Sequence, residues 1–242
     1  MKFAAMIRGL TRAAVIPALL LVSCCARPSV PDDPFEPVNR AVFGFNERFN
    51  RHVTLPVDWI YTYQLPVGLK RPLHNVLTNL QSPVVFANEL LQCRVQSAAA
   101  TLARFFLNST LGLGGLNDFA GAHAGLPPQH ADFGQTLAAY GVRSGPFLVL
   151  PLVGPTSARD AFGALVDVVA DPLFYIPGDW SLLAHAGTVV GIGTVQSFQA
   201  HANALYLRTQ LSGASLEPYA TMRSAYRQAR RSELERGSAR AK

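Results

Sequence analysis

The sequence predicts an all-α fold that has no conventional transmembrane span. Apolar residues recur at helical spacing in several segments. Beyond residue 23 no run of about 18 or more apolar residues occurs, so an ordinary spanning helix is not expected. Charged residues make up 15% of the chain, whereas about 25% is usual in soluble domains. The apolar faces therefore belong either to the core of one domain or to a surface turned toward lipid, and helical periodicity alone does not distinguish the two.

Residues 1–23 are predicted to be a lipoprotein signal peptide. Lys2, Arg8 and Arg12 precede an uncharged apolar run over residues 13–22, which is the order of a secretory signal. The run ends in Leu21-Val22-Ser23-Cys24, which resembles the lipobox of bacterial lipoproteins. The resemblance implies that Cys24 becomes an acylated N-terminus. An ordinary secretory peptide with a chance cysteine is the alternative.

Residues 24–32 are then the acylated N-terminus and a short polar linker. The covalent lipid on Cys24 is the only non-protein group that we expect, and two or more acyl chains hold a protein stably on a bilayer. Cys25 stands where lipoproteins retained at the inner membrane carry aspartate, so the lipoprotein resemblance implies an outer-membrane location. Cys25 and Cys93 need not pair, and an unpaired, structural Cys93 is favoured.

The charge balance argues against a nucleic-acid partner. The formal net charge is +6, and the three basic residues of the signal peptide account for half of it. The mature chain is therefore only weakly basic, which is too little to indicate nucleic-acid binding.

An amphipathic helix is predicted to begin at Glu36-Pro37, because proline is favoured in the first helical turn. Its apolar positions are Val38, Val42, Phe45 and Phe49. Prolines at 56, 66 and 72 are expected to break the following region into short pieces. This region contains aromatic residues that suit either a membrane interface or a partly buried cluster, namely Trp59, Tyr61 and Tyr63.

Two further helices are predicted in the middle of the chain. The first covers residues 94–110, and its apolar positions are Val95, Ala98, Leu102, Phe105 and Phe106. It stops at Gly112-Leu113-Gly114-Gly115, which lacks the Lys-Ser/Thr of a phosphate loop and is interpreted as a helix end and turn. The second begins at a capping box formed by Ser157 and Asp160 and ends at Asp171-Pro172.

Residues 181–207 contain no Asp, Glu, Lys or Arg. A helix in which aliphatic residues alternate with neutral polar ones suits the lining of a passage for an amphiphile, although an internal helix with ordinary hydrogen-bonded polar residues explains the pattern equally well. The passage-lining candidates are Thr188, Thr194, Gln196 and Gln199.

A last amphipathic helix is predicted near the C-terminus. Its apolar and basic positions are, respectively, Tyr219, Met222, Tyr226 and Ala229, and Arg223, Arg227 and Arg230. The basic side suits anionic lipid, solvent or a protein partner. Residues 232–242 are expected to be a disordered tail.

No arrangement of residues calls for an enzyme. The chain has neither a Gly-x-Ser-x-Gly elbow nor a His-Glu-x-x-His metal motif. His130 and Asp132 could supply two metal ligands, but the spacing shows no third, and we expect no metal site. Cys93 lacks a local signature of a nucleophile.

Taken in order, several segments resemble the MlaA family, also called VacJ, of outer-membrane lipoproteins. The most specific of them surrounds a glycine-rich turn, and the others flank it on both sides. They are Asp33-Pro34-Phe35-Glu36-Pro37-Val38-Asn39-Arg40, Phe45-Asn46, 104–110, 112–118, 133–137, Tyr140-Gly141-Val142, Gly145-Pro146-Phe147, Leu150-Pro151, Gly154-Pro155, Arg159-Asp160 and Asp171-Pro172. The resemblance covers the helical domain, which we place at residues 33–231.

The resemblance implies a compact, ring-like helical fold embedded in the periplasmic side of the outer membrane. It implies extraction of mislocalised phospholipid from the outer leaflet through a central amphipathic passage, which maintains lipid asymmetry. The implied partners are a trimeric porin, the periplasmic lipid carrier MlaC and, beyond it, an inner-membrane ABC transporter complex. Phe45 and Asn46 fall in a segment that the family associates with gating. The alternative is a structural envelope lipoprotein that binds porins without moving lipid.

Overall fold

The computed structural model describes residues 33–59, 63–64, 66–171 and 217–239. Over these residues the fold is predominantly helical, which confirms the predicted class. The elements are α1 (Glu36–Phe49), a π-helical turn (Asn50–Thr54), α2 (Leu55–Trp59), α3 (Val67–Leu91), α4 (Val95–Thr110), α5 (Phe119–Ala124), α6 (Phe133–Ala139), β1 (Phe147–Leu150), β2 (Gly154–Ser157), α7 (Ala158–Ala170) and α8 (Pro218–Ala239). None of the described helices is both long enough and apolar enough to span a bilayer.

The helix starts follow the predicted signals. Helix α1 begins at Glu36 with proline in its first turn. Helix α7 begins after Ser157, whose hydroxyl accepts a hydrogen bond from the Asp160 amide and so completes the predicted cap. The glycine-rich segment after α4 is a turn, as expected. A side chain at Gly112 would collide with the backbone of Asn108 and Asn117, so only glycine fits there.

Three expectations about elements need correction. Prolines do not break the region after residue 66, because Pro72 and Pro83 lie inside the 25-residue helix α3. Helix α8 continues past Ser232 to Ala239, so residues 232–239 are helical where we expected a disordered tail. A small antiparallel hairpin, in which Phe147 pairs with Ser157 and Leu150 with Gly154, was not predicted.

A small apolar core joins the hairpin to the first and last helices. Phe147 and Val149 of β1 are buried together with Tyr219 of α8. The ring of Phe43 on α1 packs edge-on against Tyr219, with ring centres 5.9 Å apart. The hairpin is therefore held between α1 and α8, which are far apart in the sequence.

Cys93 lies in the turn between α3 and α4. Its thiol is free and exposed, and its φ angle is +57°. The expectation that it is unpaired therefore agrees with the structure, but its exposure does not fit a buried structural role. Cys25 lies outside the described residues.

Candidate functional site

Burial in this molecule is inverted relative to a soluble protein. Among the described residues, fifteen polar or charged side chains are buried but only six apolar ones. Twenty-three large apolar side chains of the same part of the chain are exposed. In soluble proteins, charged side chains are almost never fully buried, and large exposed apolar patches indicate contact with another surface or with a membrane. The candidate functional feature is thus a polar interior beneath an apolar surface.

Helix α4 shows this inversion along its length. Its inward face carries Thr101, Arg104 and Asn108, all buried. Its outward face carries Val95, which is 68% exposed, and Phe106, which is 58% exposed. The predicted apolar stripe is real, but most of it faces outward. The periodicity of the sequence predicted the stripe but did not show whether it faces the interior of the protein or its surroundings.

Helix α7 has the same orientation. Phe162, Leu165 and Val169 are each more than half exposed, and their spacing places them on one face of the helix. An adjacent side of the helix buries Arg159 and Gly163. Because two separate helices turn apolar faces outward, the inversion is a property of the fold.

A charged network forms the interior below the glycine-rich turn. Arg104 donates to a carboxylate oxygen of Asp118 at 2.9 Å and to the carbonyl of Leu126. The side-chain amide of Asn108 donates to the same Asp118 oxygen at 3.1 Å, and its carbonyl oxygen accepts from the Ala120 amide. Asp118 also caps α5 by accepting from the Gly121 amide. Burial would raise the pKa of Asp118, but these donors outweigh burial and lower it.

A second charged cluster lines a cavity of about 290 Å³ between α6, α7 and α8. Arg230 of α8 reaches Asp132 at 2.7 Å and Asp160 at 3.0 Å. Tyr226 donates its hydroxyl hydrogen bond to Asp160 at 2.6 Å. These contacts connect α8 to α7 and to the start of α6.

The carboxylates of this cavity have different environments. Burial alone would raise the pKa of Asp160, but the hydrogen bonds from Arg230 and Tyr226 outweigh burial and lower it to about 2. The pKa of Asp132 is also lowered, because the Arg230 hydrogen bond and charge outweigh burial. Burial raises the pKa of Asp167 although it accepts from the Phe133 amide and from Asn88, and no arginine of the described residues is shown bound to it.

Helix α8 binds two carboxylates through a sequence motif that occurs twice along the helix. Tyr219 and Arg223 both donate to Asp33, and Tyr226 and Arg230 both donate to Asp160. The two Tyr-x-x-x-Arg pairs stand seven residues apart, which places both on one side of the helix. Arg223 and Arg230 therefore bind carboxylates of the protein itself, whereas the basic face was expected to meet lipid, solvent or a protein partner. The repeat was visible in the sequence, but its acidic partners were not.

The two gating candidates face different surroundings. Phe45 is exposed, and its ring stacks on Phe49 at 6.4 Å. Asn46 instead binds the hairpin, because its amide donates to the Leu150 carbonyl at 2.9 Å and accepts from the Leu152 amide at 2.8 Å. The role of this pair in gating stays a prediction. The passage-lining candidates Thr188, Thr194, Gln196 and Gln199 lie outside the described residues.

The described residues offer no group of three or more metal-ligating side chains. The His130 ring lies 4.0 Å from a carboxylate oxygen of Asp132. That carboxylate is already bound by Arg230 and by the Gln135 amide. The position of the Asp132 carboxylate is therefore explained by its ion pair with Arg230 and by its capping of α6.

A family model described as MlaA lipoprotein matches residues 31–233. The chain belongs to the MlaA lipoprotein family. The family resemblance seen in the ordered sequence segments is thereby confirmed. Several of the most specific MlaA segments, around Arg104, Asn108 and Asp118, are those that build the buried network below the glycine-rich turn.

Individual relatives agree with the family model. The chain is 34% identical over 213 residues to an uncharacterized protein of Rickettsia bellii, covering 84% of this chain and 77% of that protein. It is 31% identical to the intermembrane phospholipid transport system lipoprotein MlaA of Haemophilus influenzae, covering 89% and 86%. A solved structure reported as "Structural basis for maintenance of bacterial outer membrane lipid asymmetry" matches with a TM-score of 0.69 and 31% identity, covering 87% of this chain and 99% of that one.

Proposed function

We propose that this chain is an outer-membrane lipoprotein that maintains lipid asymmetry by moving phospholipid. In this proposal it extracts mislocalised phospholipid from the outer leaflet and passes it through an amphipathic passage to a periplasmic carrier. The relatives support the general role, since one is named as a phospholipid transport lipoprotein and the solved structure concerns outer-membrane lipid asymmetry. The route and its direction are our proposal.

The inverted burial carries the proposal. Exposed apolar stripes on α4 and α7 lose nothing when hydrocarbon replaces water around them, and each fully buried aliphatic or aromatic side chain gains about 1.5–3 kcal/mol. Polar side chains such as Thr101 and Asn108 are meanwhile kept away from hydrocarbon. Such a body is suited to lie within a membrane without a spanning helix.

A polar interior also suits the cargo. A phospholipid headgroup that crosses hydrocarbon without hydrogen-bond partners pays a large desolvation cost, which polar walls reduce. Acyl chains need an apolar path beside them. Movement along such a route breaks and forms no covalent bond, so the proposal requires no catalytic residue.

The proposed setting follows from the anchor and the family. Acyl chains on Cys24 would tether the protein to the outer membrane, facing the periplasm. We propose a trimeric porin as the protein that holds it in place, and the carrier MlaC as the recipient that delivers lipid toward an inner-membrane ABC transporter. The compact ring enclosing the passage belongs to the same proposal.

Deleting the gene and labelling surface-exposed phospholipid tests the proposal. We expect more labelled phospholipid in the outer leaflet of the deletion strain, and a return to the normal level when the gene is restored. An unchanged outer leaflet would refute lipid transport. If the protein co-purified with a porin from the parent strain while the deletion left the lipid distribution normal, the protein would be a structural envelope lipoprotein instead.

A further inference from the structure

The cavity between α6, α7 and α8 opens to the outside beside two small side chains. Ala164 of α7 and Ala229 of α8 both line it, and both are exposed. Its volume of about 290 Å³ is close to the lower end of the range of ligand pockets, about 300–1,000 Å³. The cavity therefore has room for a polar headgroup, but not for a whole lipid with its acyl chains.

The cavity lies on the polar side of α7. Asp160, Ala164 and Asp167 line it, and at about 3.6 residues per turn they share one side of the helix. The exposed apolar face that carries Phe162 is on the opposite side. When that face meets hydrocarbon, the cavity is turned away from hydrocarbon, which is where a polar headgroup is stable.

Carboxylates outnumber arginines around the cavity. Among the described residues that line it, Arg230 is the only arginine. Arg159 pairs with Asp160 from outside the lining. The four carboxylates of the lining are Asp132, Asp160, Asp167 and Glu233. The cavity therefore carries an excess of negative charge in a partly buried place, where the attraction for a cation is stronger than in water.

Asp167 has the least compensated of these charges. It accepts from the Phe133 amide and from the Asn88 side chain, which are both neutral donors. The other three carboxylates are bound by Arg230. Burial, together with the charge of Asp132, raises the pKa of Asp167. A cation beside Asp167 would offset an unfavourable charge that these neutral donors leave in place.

A primary ammonium group matches this environment better than a metal ion or a quaternary ammonium does. An ammonium brings three N–H donors to carboxylate oxygens. The described residues provide no group of three metal-ligating side chains. A quaternary ammonium has no N–H donor and is bound by cages of aromatic side chains. Tyr226 is the one aromatic side chain among the described residues that line the cavity.

We propose that the cavity binds a primary ammonium group, with Asp167 as its principal carboxylate, and that the ethanolamine headgroup of the transported phospholipid supplies it. This inference rests on the proposed function and names the class of headgroup that the protein selects. The ion pairs of Arg230 with Asp132 and Asp160 hold the walls of the cavity together.

Competition between two lipids tests the proposal in the purified full-length protein. The protein is equilibrated in non-ionic detergent with equal amounts of phosphatidylethanolamine and phosphatidylcholine that have the same acyl chains, and the bound lipids are counted. We expect phosphatidylethanolamine to be preferred about tenfold, the effect of one hydrogen bond to a charged group. Because the acyl chains are identical, lipid bound to the apolar surface does not create a preference. Equal binding of the two lipids would overturn the proposal.

Closing the entrance tests where the preference arises. Ala164→Leu together with Ala229→Leu places larger side chains at the entrance and should bring the ratio of the two lipids close to one. Ala170→Leu together with Ala225→Leu is the matched control, because both alanines are exposed on the same two helices but do not line the cavity. The control should keep the preference. Asp167→Asn should lower the ratio as well. A preference that survived either the closed entrance or Asp167→Asn would overturn the proposal.

The soluble headgroup distinguishes a lipid from a free amine. Glycerophosphoethanolamine has the same ammonium group but no acyl chains, so at equal concentration it should displace little phosphatidylethanolamine. Displacement as strong as that by phosphatidylethanolamine itself would overturn the assignment to a lipid. The proposed function is tested separately by the deletion strain. A protein that binds both lipids equally, but whose deletion still raises surface-exposed phospholipid, would keep the proposed function and lose this site.

Discussion

Asp160 links three parts of the chain at a single carboxylate. It accepts from the Ser157 hydroxyl at the start of α7, accepts from Tyr226 and pairs with Arg230 of α8. Its side chain is nearly buried, so these contacts act with little screening by solvent. The fold therefore depends on the charged form of this residue.

The free energy of unfolding should fall as the pH drops from about 4 to about 2. The pKa of Asp160 is lowered to about 2 in the folded protein, whereas an unfolded aspartate titrates near 3.9. A lowered folded pKa gives stability that is present above the unfolded pKa and is lost as the pH falls through the folded one. We expect Asp160 to contribute about 1–2 kcal/mol to this loss, measured by urea unfolding in a non-ionic detergent.

Asp160→Asn tests whether the loss of stability at low pH comes from protonation of Asp160 or from protonation of other carboxyl groups. The variant should be less stable than the unmodified protein at pH 7, and the difference should shrink toward pH 2, where the native carboxyl is partly protonated. Glu235→Gln removes an exposed carboxylate from α8 and should leave the profile as it is. A difference that stayed constant between pH 7 and pH 2 would contradict the assignment.

At the scale of elements, α6 and α7 approach each other through two glycines. A Cβ atom on Gly163 would lie 2.7 Å from the Cα of Gly134 and would also collide with its amide nitrogen. A Cβ on Gly134 would meet the Asp160 carboxylate at 2.6 Å and Arg230 at 2.8 Å. The ion-pair cluster of the cavity is assembled only if these two backbones are in contact.

Gly163→Ala should therefore destabilise the protein by about 1–3 kcal/mol, the usual cost of overpacking. Gly44→Ala is the matched control, since a Cβ at this helical glycine meets no heavy atom within 4 Å. It should stabilise α1 by about 0.5–1 kcal/mol, because alanine loses less backbone entropy than glycine. Thermal unfolding in detergent measures both. Equal effects of the two substitutions would show that the helices are not in close contact.

A comparison of the elements shows which parts of the fold the sequence predicts and which it does not. Capping residues and helical periodicity predicted α1, α4 and α7, because these signals are local. Pro72 was misread because packing of a long helix overrode a local preference. The bond from Asn39 to Phe147 and the Arg230 cluster join residues about 100 positions apart, so no local sequence pattern predicts them. The direction of each apolar stripe depends on the medium around the protein, which periodicity does not encode.

At the scale of the whole molecule, the apolar surface would act together with the lipid tether predicted at Cys24. The anchor predicted at Cys24 would add about 0.8 kcal/mol for each buried methylene. The outward residues of α4 and α7 supply a second attraction to hydrocarbon that does not depend on the anchor. The predicted tether and the surface would therefore make separable contributions to membrane association.

A mature chain without its acyl anchor should still require detergent. We would replace residues 1–23 with a cleavable secretory signal and make Cys24→Ala, so that no uncleaved apolar segment remains. This protein should stay with the membrane pellet after an alkaline wash. Adding Phe162→Gln, Leu165→Gln and Val169→Gln should shift it toward the soluble fraction, because these exposed side chains are the proposed lipid contacts.

The matched control places three glutamines at exposed polar positions of α8, as Thr221→Gln, Ser224→Gln and Ser232→Gln. These positions present no apolar surface, so the control should remain in the pellet with the anchor-free parent. Circular dichroism of all three proteins in detergent would establish that they are equally helical. An anchor-free parent that was soluble without detergent would contradict the embedded fold, since nothing except the acyl chains would then hold the protein to the membrane.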